Sequence, residues 1–288
     1  MSPTSRNGRR PPHVLAEREL TWLRGLLKRR PGVVLDPEKT YLAEMRLAML
    51  AQAEGFPSVA ELLDSLRTEE EWGILHRKVV DVMMITETSF FRDVHAFQAL
   101  RTTILPELIE RRSLERTLTV WCAACASGQE PYSIALLIRE NFPHLLNWNL
   151  RIIASDVSET MLARARAGVY SQIEVNRGLP APLLVRHFER AGDEWRLRDP
   201  IRRMVEFRDI NLAGALPVLP PMDLFLLRNV LLYFDSFTRR AVLDSVARCL
   251  RHDGTLILGG GEATVNLDRA FETAPIGRAV TYRLRAAA

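Results

Sequence analysis

Cysteine is scarce in this chain, and the few cysteines present exclude a disulfide-stabilised fold. There are three, Cys122, Cys125 and Cys249, among 288 residues. Cys122 and Cys125 have the spacing of a metal-binding pair, yet no second pair of cysteines or histidines follows to complete a zinc site. We therefore expect no metal site, and we interpret Cys122 and Cys125 as compact packing residues.

Long apolar runs are also missing. No stretch approaches the roughly 20 residues that a membrane-spanning helix needs. Residues 1–12 are polar and rich in proline and arginine, without the apolar core of a signal peptide. We therefore expect a cytoplasmic protein that inserts into no membrane. The composition, 47% hydrophobic and 26% charged, is that of an ordinary globular protein.

The basic residues lack interleaved aromatic side chains. The formal net charge is +4, and basic residues cluster at Arg24, Lys28, Arg29 and Arg30. Because nothing in this cluster would stack on bases, it does not predict binding to nucleic acid. Two interpretations remain open, namely that the cluster solvates a helix face or that it meets an acidic partner.

A turn of small residues with a single glycine lies at the centre of the chain. The apolar run 118–122 enters the turn 123–128, and a helix is predicted to open at Pro131. A second apolar run ends at Asp156, where doubly wound folds place the acid that holds a ribose diol. The GxGxxG spacing of dinucleotide sites is absent. The turn therefore favours S-adenosylmethionine, which has no phosphate, over NAD.

The pattern along the chain predicts three parts. Residues 1–13 are expected to be a disordered tail, 14–85 a small all-α domain of four helices, and 86–288 an α/β domain. From about 171 to 204 the alternation of strands and helices breaks into short antiparallel strands, which predicts an inserted β-subdomain. The predicted fold class is α/β, with a Rossmann-like sheet of the class I methyltransferase kind.

Local signals place individual elements. A stripe that includes Tyr41, Met45 and Met49 predicts the second helix. Asp93 is expected to cap the helix that follows it. The closing run 279–284 alternates polar and apolar residues, which suits an antiparallel strand at a sheet edge. That antiparallel final strand also suits a methyltransferase better than a dehydrogenase.

Several motifs, in this order, resemble those of the CheR-type chemotaxis receptor methyltransferases. They are TSFFRD at 88–93, SGQEPYS at 127–133, ARAGVY at 165–170 and RNVLLYF at 228–234. The resemblance implies a protein-glutamate O-methyltransferase that uses S-adenosylmethionine and releases S-adenosylhomocysteine. The implied substrates are glutamates on the cytoplasmic helices of chemoreceptors, whose esterification serves adaptation. We expect the enzyme to be a monomer.

The resemblance also assigns cofactor contacts. Asp156 is expected to accept hydrogen bonds from both ribose hydroxyls, because a carboxylate can take two donors at once. Glu130 is expected near the cofactor's ammonium, while Asn211 and Leu212 are expected to frame the adenine. The full expected cofactor-binding set is Thr86, Thr88, Arg92, Glu130, Asp156, Asn211, Leu212, Arg228 and Asn229.

Arg92 and Tyr233 are the expected catalytic residues. The planar fork of Arg92 can hold a glutamate carboxylate, and the Tyr233 hydroxyl can orient the same group.

The chain departs from the family pattern at Thr86, where Asn is usual, at Gln129, where Glu is common, and at residues 260–262, where His-Ser-Glu is usual. Two alternatives stay open: a related methyltransferase with a target outside chemotaxis, and a non-catalytic module that binds the cofactor or a receptor.

A short loop in the inserted subdomain bears on receptor docking. Residues 190–195 look short for the loop of those family members that bind the C-terminal pentapeptide of a receptor. The sequence therefore predicts that this protein does not rely on a pentapeptide tether.

Overall fold

The computed structural model describes residues 15–69, 72–262 and 270–285. The predicted tail, residues 1–13, lies outside the described residues. The chain forms two compact units: a smaller one that ends at Met83, and a larger one that runs from Met84 onward and also includes Arg30–Val33. Within the described ranges, no helix combines the length and the apolarity needed to cross a membrane.

The smaller unit is helical. Helix α2 buries Ala43 and Leu47 in its core. Tyr41, Met45 and Met49 are exposed on the same helix, so the stripe that predicted α2 is not its buried face. The helices of this unit are α1 Glu17–Arg29, α2 Thr40–Ala53, α3 Val59–Thr68 and α4 Ile74–Met83.

The larger unit is built on a seven-stranded sheet in the order β6-β2-β1-β7-β8-β10-β9. The pairs from β6 to β8 are parallel and those of β10 are antiparallel, as the sequence predicted. The predicted edge position of the final strand is wrong, because β9 covers β10 on its outer side. The strands are β1 Thr117–Ala123, β2 Asn149–Asp156, β6 Val205–Asp209, β7 Met222–Leu227, β8 Leu250–Leu258, β9 Phe271–Thr273 and β10 Thr281–Leu284.

Both faces of the central strands are buried. Val120 and Cys122 of β1 lie in one hydrophobic core, while Trp121 lies in the other. This division follows from the alternation of side chains along a strand. The flanking helices are α5 Val94–Ala99, α6 Leu105–Arg111, α7 Gln129–Asn141, α8 Glu159–Ala167 and α12 Ser236–Cys249.

Helix α7 begins earlier than predicted, at Gln129 rather than at Pro131. The chain reverses at Gly128, whose φ is 89°. A Cβ atom at this position would lie 2.9 Å from the Ala165 Cβ, so only glycine fits the turn without displacing α8. The early turn brings Gln129 and Glu130 into the first helical turn.

The insertion forms a small antiparallel sheet, as predicted, and it also contains short helices. Its strand order is β3-β5-β4. The elements are β3 Val169–Ser171, α9 Gln172–Asn176, α10 Ala181–His187, β4 Phe188–Ala191, β5 Glu194–Leu197 and α11 Asp199–Arg202.

A buried ion cluster lies at the amino end of β7. The Arg112 Nε donates to Asp223 at 2.6 Å, and its two terminal nitrogens donate to Asp253 at 2.8 and 2.5 Å. Asp223 is fully buried and also accepts the N–H of Thr119 at 2.8 Å. The hydrogen bonds to Asp253 raise the pKa of Arg112, and in turn they lower the pKa of Asp253. The cluster joins the helix after α5 to the start of β1 and β7.

Candidate active site

Four neighbouring parallel strands end at one level of the sheet. Across β2, β1, β7 and β8, the matched residues are Ser155, Ala123, Leu227 and Leu258. The residues that follow them therefore share one edge, and open α/β sheets bind their ligands at the carboxyl ends of the strands. The structure thus brings Asp156 and Arg228 to the same edge as the small-residue turn.

Asp156 supports the small-residue turn. One carboxylate oxygen accepts the N–H of Ala126 at 2.8 Å, and the other accepts the N–H of Ser158 at 3.0 Å. Ala124 and Ala126 both have positive φ values, of 55° and 47°. A carboxylate offers about four acceptor positions. The two backbone bonds are therefore compatible with the predicted contact to a ribose diol, which stays a prediction.

Glu130 and Arg228 form an ion pair at the centre of this edge. The Arg228 Nη1 donates to Glu130 at 2.7 Å, and its Nη2 donates to the Arg92 carbonyl oxygen at 2.6 Å. The same guanidinium lies 3.7 Å from the Asp93 carboxylate. Burial raises the pKa of Glu130, and the Arg228 charge acts in the opposite direction. The sequence located both residues but did not predict that they would pair.

Asp93 does not cap helix α5 as expected. It stands at the N-cap position with a φ of 64°, but its side chain makes no capping hydrogen bond. The carboxylate lies beside Arg228 instead. The left-handed backbone of Asp93 departs from the extended conformation of a capping residue, which accounts for the missing cap, and at 3.7 Å its contact with Arg228 is an ion pair without a hydrogen bond.

A segment that we call the strap, residues 86–93, carries Arg92. The Arg92 Nη1 donates to the Glu87 carbonyl oxygen at 2.9 Å. Thr86 and Thr88 are half-buried on the same segment. The Arg92 charge acts to lower the pKa of both Glu130 and Tyr233, against the effect of burial.

The inserted subdomain holds the strap in place. The Phe90 ring makes edge contacts with Tyr170, at a centroid distance of 5.0 Å, and with Phe188 at 5.8 Å. The Tyr170 hydroxyl donates to the Ser127 carbonyl at 2.8 Å, so the subdomain supports the small-residue turn as well. At Gly178 the backbone comes so close that a Cβ atom would lie 2.1 Å from the Phe90 carbonyl oxygen.

Asn211 and Leu212 lie in the loop that follows β6. The N–H of Ile210 donates to the Asp156 carbonyl at 3.2 Å, which fixes the start of this loop beside β2. The Asn211 side chain accepts the N–H of Ala213 at 3.0 Å and donates to the Arg30 carbonyl. Leu212 belongs to the core that contains Trp121. Both residues therefore have structural contacts, and their predicted contact with adenine stays a prediction.

The loop after β7 depends on Glu262, which the sequence analysis did not place in the site. Its carboxylate accepts the N–H groups of Asn229, Val230, Leu231 and Gly259. The sequence signals were an acid directly after two glycines at the end of a strand, and the match of Glu262 to the last residue of the His-Ser-Glu that is usual at 260–262. Tyr233 follows the same loop. Burial raises the pKa of its half-buried hydroxyl.

The residues present fit S-adenosylmethionine. Within the described part of the chain, the Arg228 Nε is buried without a hydrogen-bond partner and adds a donor to the site. Asp156 and the turn of small residues suit a nucleoside, and the Glu130–Arg228 pair suits the charged amino-acid end. Among the described residues, no group of three or more His, Cys, Asp or Glu side chains is arranged to hold a metal ion.

Comparison with known proteins also indicates a methyltransferase that uses S-adenosylmethionine. Chemotaxis protein methyltransferase 1 of Pseudomonas aeruginosa is 36% identical over 94% of this chain and 99% of its own length. Chemotaxis protein methyltransferase Cher2 of Pseudomonas putida is 34% identical, with 91% and 96% covered. A solved TehB-like SAM-dependent methyltransferase from Corynebacterium glutamicum aligns with a TM-score of 0.37 at 11% identity, covering 62% of this chain and 86% of its own. This structural similarity is weak, so the assignment rests on the sequences.

Two family models cover most of the chain. The all-alpha domain of CheR methyltransferases matches residues 18–80, and their SAM binding domain matches residues 86–280. The predicted fold class and cofactor are thereby confirmed, and the protein is an S-adenosylmethionine-dependent methyltransferase. The individual residue roles stay predictions. With models for both domains matched and relatives above 30% identity along nearly its whole length, the chain belongs to the CheR methyltransferase family.

Proposed function

We propose that this protein methylates glutamate side chains on the cytoplasmic helices of chemoreceptors, forming the glutamate methyl esters of chemotaxis adaptation. The relatives named above are chemotaxis protein methyltransferases, and they match this chain over nearly their full length. We infer a cytoplasmic location, since the substrate helices lie there.

The observation that carries the proposal is the setting of Arg92. Its bond to the Glu87 carbonyl uses one of the five N–H donors of a guanidinium, and the side chain is only half-buried. Arg92 therefore has donors with which to hold an incoming carboxylate at the carboxyl edge of the sheet. The Arg92 charge also acts to lower the pKa of Tyr233, the second residue that we propose to orient the carboxylate.

The chemistry needs no general base. Bound S-adenosylmethionine supplies an electrophilic methyl group on a positively charged sulfur. A glutamate carboxylate is already ionised at about pH 7, and the products, a methyl ester and a thioether, are uncharged at the reacting atoms. No proton has to move, so the task of Arg92 and Tyr233 is to orient the carboxylate and to replace the water around it.

The first test uses methyl-labelled S-adenosylmethionine with receptor signalling fragments, followed by mild base and measurement of released methanol. We expect base-labile label on the fragments, because methyl esters hydrolyse under these conditions. Label that resists base would mean that another acceptor atom is methylated. No label, with cofactor binding shown separately, would point to a protein target outside chemotaxis.

A further inference from the structure

We propose that Glu262 is a positioning residue for methyl transfer, which holds the loop 229–231 in the shape that presents Asn229 and Tyr233 to the bound reactants. It touches neither reactant itself under this proposal, and it acts through the loop. The inference rests on the proposed function for the choice of methyl acceptor and on the roles predicted for Asn229 and Tyr233.

The buried Glu262 carboxylate is surrounded by the backbone N–H groups of Asn229, Val230, Leu231 and Gly259, a set that we call the cradle. One carboxylate oxygen accepts the N–H groups of Val230 and Leu231 at 3.0 and 2.8 Å. The other accepts those of Asn229 and Gly259 at 2.8 and 2.9 Å. Three successive amides point at one carboxylate because Asn229 has a φ of 58°, in the left-handed region.

The close approach depends on Gly259. A Cβ atom there would lie 2.6 Å from the Asn229 side-chain nitrogen and 2.9 Å from the Glu262 Oε2. A side chain at position 259 would therefore require the Asn229 amide or the Glu262 carboxylate to shift. Glu262 is itself only 1% exposed, so its carboxylate, not bulk water, satisfies these N–H groups in the folded protein. Its removal would leave four backbone donors without their acceptor, three of them on the loop.

The loop held by Glu262 lies between Arg228, at the predicted cofactor site, and Tyr233, at the predicted site of the methyl acceptor. Arg228, which pairs with Glu130, directly precedes Asn229 in the chain. Leu231 opens the short 3-10 helix Leu231–Tyr233, and the N–H of Tyr233 donates to the Val230 carbonyl at 3.1 Å. A shift of the loop therefore moves Tyr233. By contrast, Asp156 bonds to Ser158 and to Ala126 of the small-residue turn, and this turn should keep its hold on the cofactor.

The decisive variant is Glu262→Gln, which keeps the volume but replaces one acceptor oxygen with an NH2 group that faces two N–H donors. We expect kcat for methyl transfer to fall about 10- to 100-fold, as small misplacements of reacting groups do. We expect the dissociation constant of S-adenosylmethionine to rise by a smaller factor than that by which kcat falls, because the contact predicted for Asn229 is displaced with the loop while the contact predicted for Asp156 remains.

Asp223→Asn is the matched control. Asp223 is likewise a buried carboxylate that accepts a backbone N–H, from Thr119, but it lies at the opposite end of β7. We expect this variant to lower the melting temperature while kcat per folded molecule stays at the wild-type value. If Glu262→Gln kept wild-type kcat, or if both variants lost kcat equally, Glu262 would have no more than a structural role and the proposal would be wrong.

A second measurement does not need an acceptor. Hydrogen exchange of residues 228–234 should become at least about tenfold faster in Glu262→Gln, because the opened loop loses its protection. It should stay unchanged in Asp223→Asn. Unchanged exchange in Glu262→Gln would overturn the proposal even if wild-type protein failed to methylate receptor fragments. That last failure would count against the proposed function alone.

Discussion

Both oxygens of Asp156 accept backbone N–H groups, from Ala126 and Ser158, in addition to their predicted role with ribose. Asp156→Ala should therefore weaken binding of S-adenosylmethionine by about 1.5–3 kcal/mol, from the charge-assisted hydrogen bonds lost. Titration calorimetry measures this change. Asp209→Ala is a suitable control, because Asp209 is the exposed register partner of Asp156 on β6. Unchanged affinity in Asp156→Ala would mean that the ribose lies elsewhere.

Arg92 should matter more for turnover than for cofactor affinity. We expect Arg92→Ala to reduce kcat about 100-fold, since the acceptor carboxylate loses its alignment, while the cofactor dissociation constant rises by a much smaller factor. Arg92→Lys keeps the charge but not the planar fork, so it should recover little of the loss. Steady-state kinetics and calorimetry separate the two effects. Equal losses in both would make Arg92 a cofactor ligand instead.

At the residue scale, the sequence predicted side chains that the structure brings to one edge of the sheet, such as Asp156 and Arg228, but it did not predict which side chains pair. Glu262 bonds to residues 31–33 positions away, and Arg228 to Glu130 across 98 positions. No local pattern encodes such contacts, because they depend on which strands become neighbours. Asp156 was easier to identify, since it ends an apolar run at the edge where such sheets bind ligands.

Among the elements, the strap and the inserted subdomain are coupled most tightly at Gly178. Gly178→Ala would place a Cβ atom 2.1 Å from the Phe90 carbonyl oxygen, at a residue with a φ of 92°. We expect a loss of about 2–5 kcal/mol in the free energy of unfolding, from backbone strain and overpacking together. Methyl transfer should fall as well, because the strap carries Arg92. Chemical denaturation and the labelling assay measure the two effects.

Gly192→Ala is the control for that prediction. Gly192 lies in the same subdomain, also with a positive φ, of 65°, but a Cβ atom added there would have no neighbour within 4 Å. The variant should lose only the strain of a left-handed residue, about 1–2 kcal/mol, and retain methyl transfer. Equal effects of the two substitutions would show that the contact with Phe90 has no influence.

The spacing of apolar residues predicted which helices and strands form better than it predicted which of their faces are buried or which strands lie beside them. Helix α2 is present, yet Tyr41, Met45 and Met49 are exposed, because α2 carries apolar residues on more than one face. The strand β10 is antiparallel as predicted, but it lies inside the sheet. Its neighbour β9, Phe271–Thr273, has three residues and is too short to show an alternating pattern.

For the molecule as a whole, acid stability depends on the cluster around Arg112. Its hydrogen bonds lower the pKa of Asp253 below the ordinary value of 3.8, so this pairing stabilises the fold above that pH and the contribution is lost as the pH falls through the lowered value. Arg112→Met should reduce the free energy of unfolding by about 2–4 kcal/mol at neutral pH, because the buried Asp223 carboxylate loses the nearer of its two arginine partners and keeps Arg251 at 3.3 Å.

The deficit of Arg112→Met should shrink as the pH falls through the lowered pKa of Asp253, where this carboxylate takes up a proton in the wild type and its pairing with Arg112 is lost. Denaturant unfolding of variant and wild type at several pH values gives the difference. Methyl transfer per folded molecule should stay unchanged, since the cluster lies at the amino end of β7. A deficit that is independent of pH would show that Arg112 acts through packing alone.

Docking of the whole molecule on its proposed receptor substrate depends on the connection between β4 and β5. The β4–β5 connection is a tight turn at Gly192 and Asp193, and the Arg190 guanidinium lies 4.2 Å from the centroid of the Trp195 ring. We expect no measurable binding of a receptor C-terminal pentapeptide by calorimetry, because the turn offers little chain for docking. Methylation of receptor fragments should be equal with and without the pentapeptide. A dissociation constant in the micromolar range would contradict this prediction.

The contact of Gly178 with Phe90 also has an evolutionary consequence. Two segments almost ninety positions apart share a surface with no room for a Cβ atom on one side. A subdomain taken from a relative can replace this one only if it keeps a glycine at the equivalent position or arrives together with its own strap. Recombination within the family should therefore exchange the strap and the insertion together. A change of receptor preference that came with a new insertion would then also bring a new strap, with the arginine that it carries.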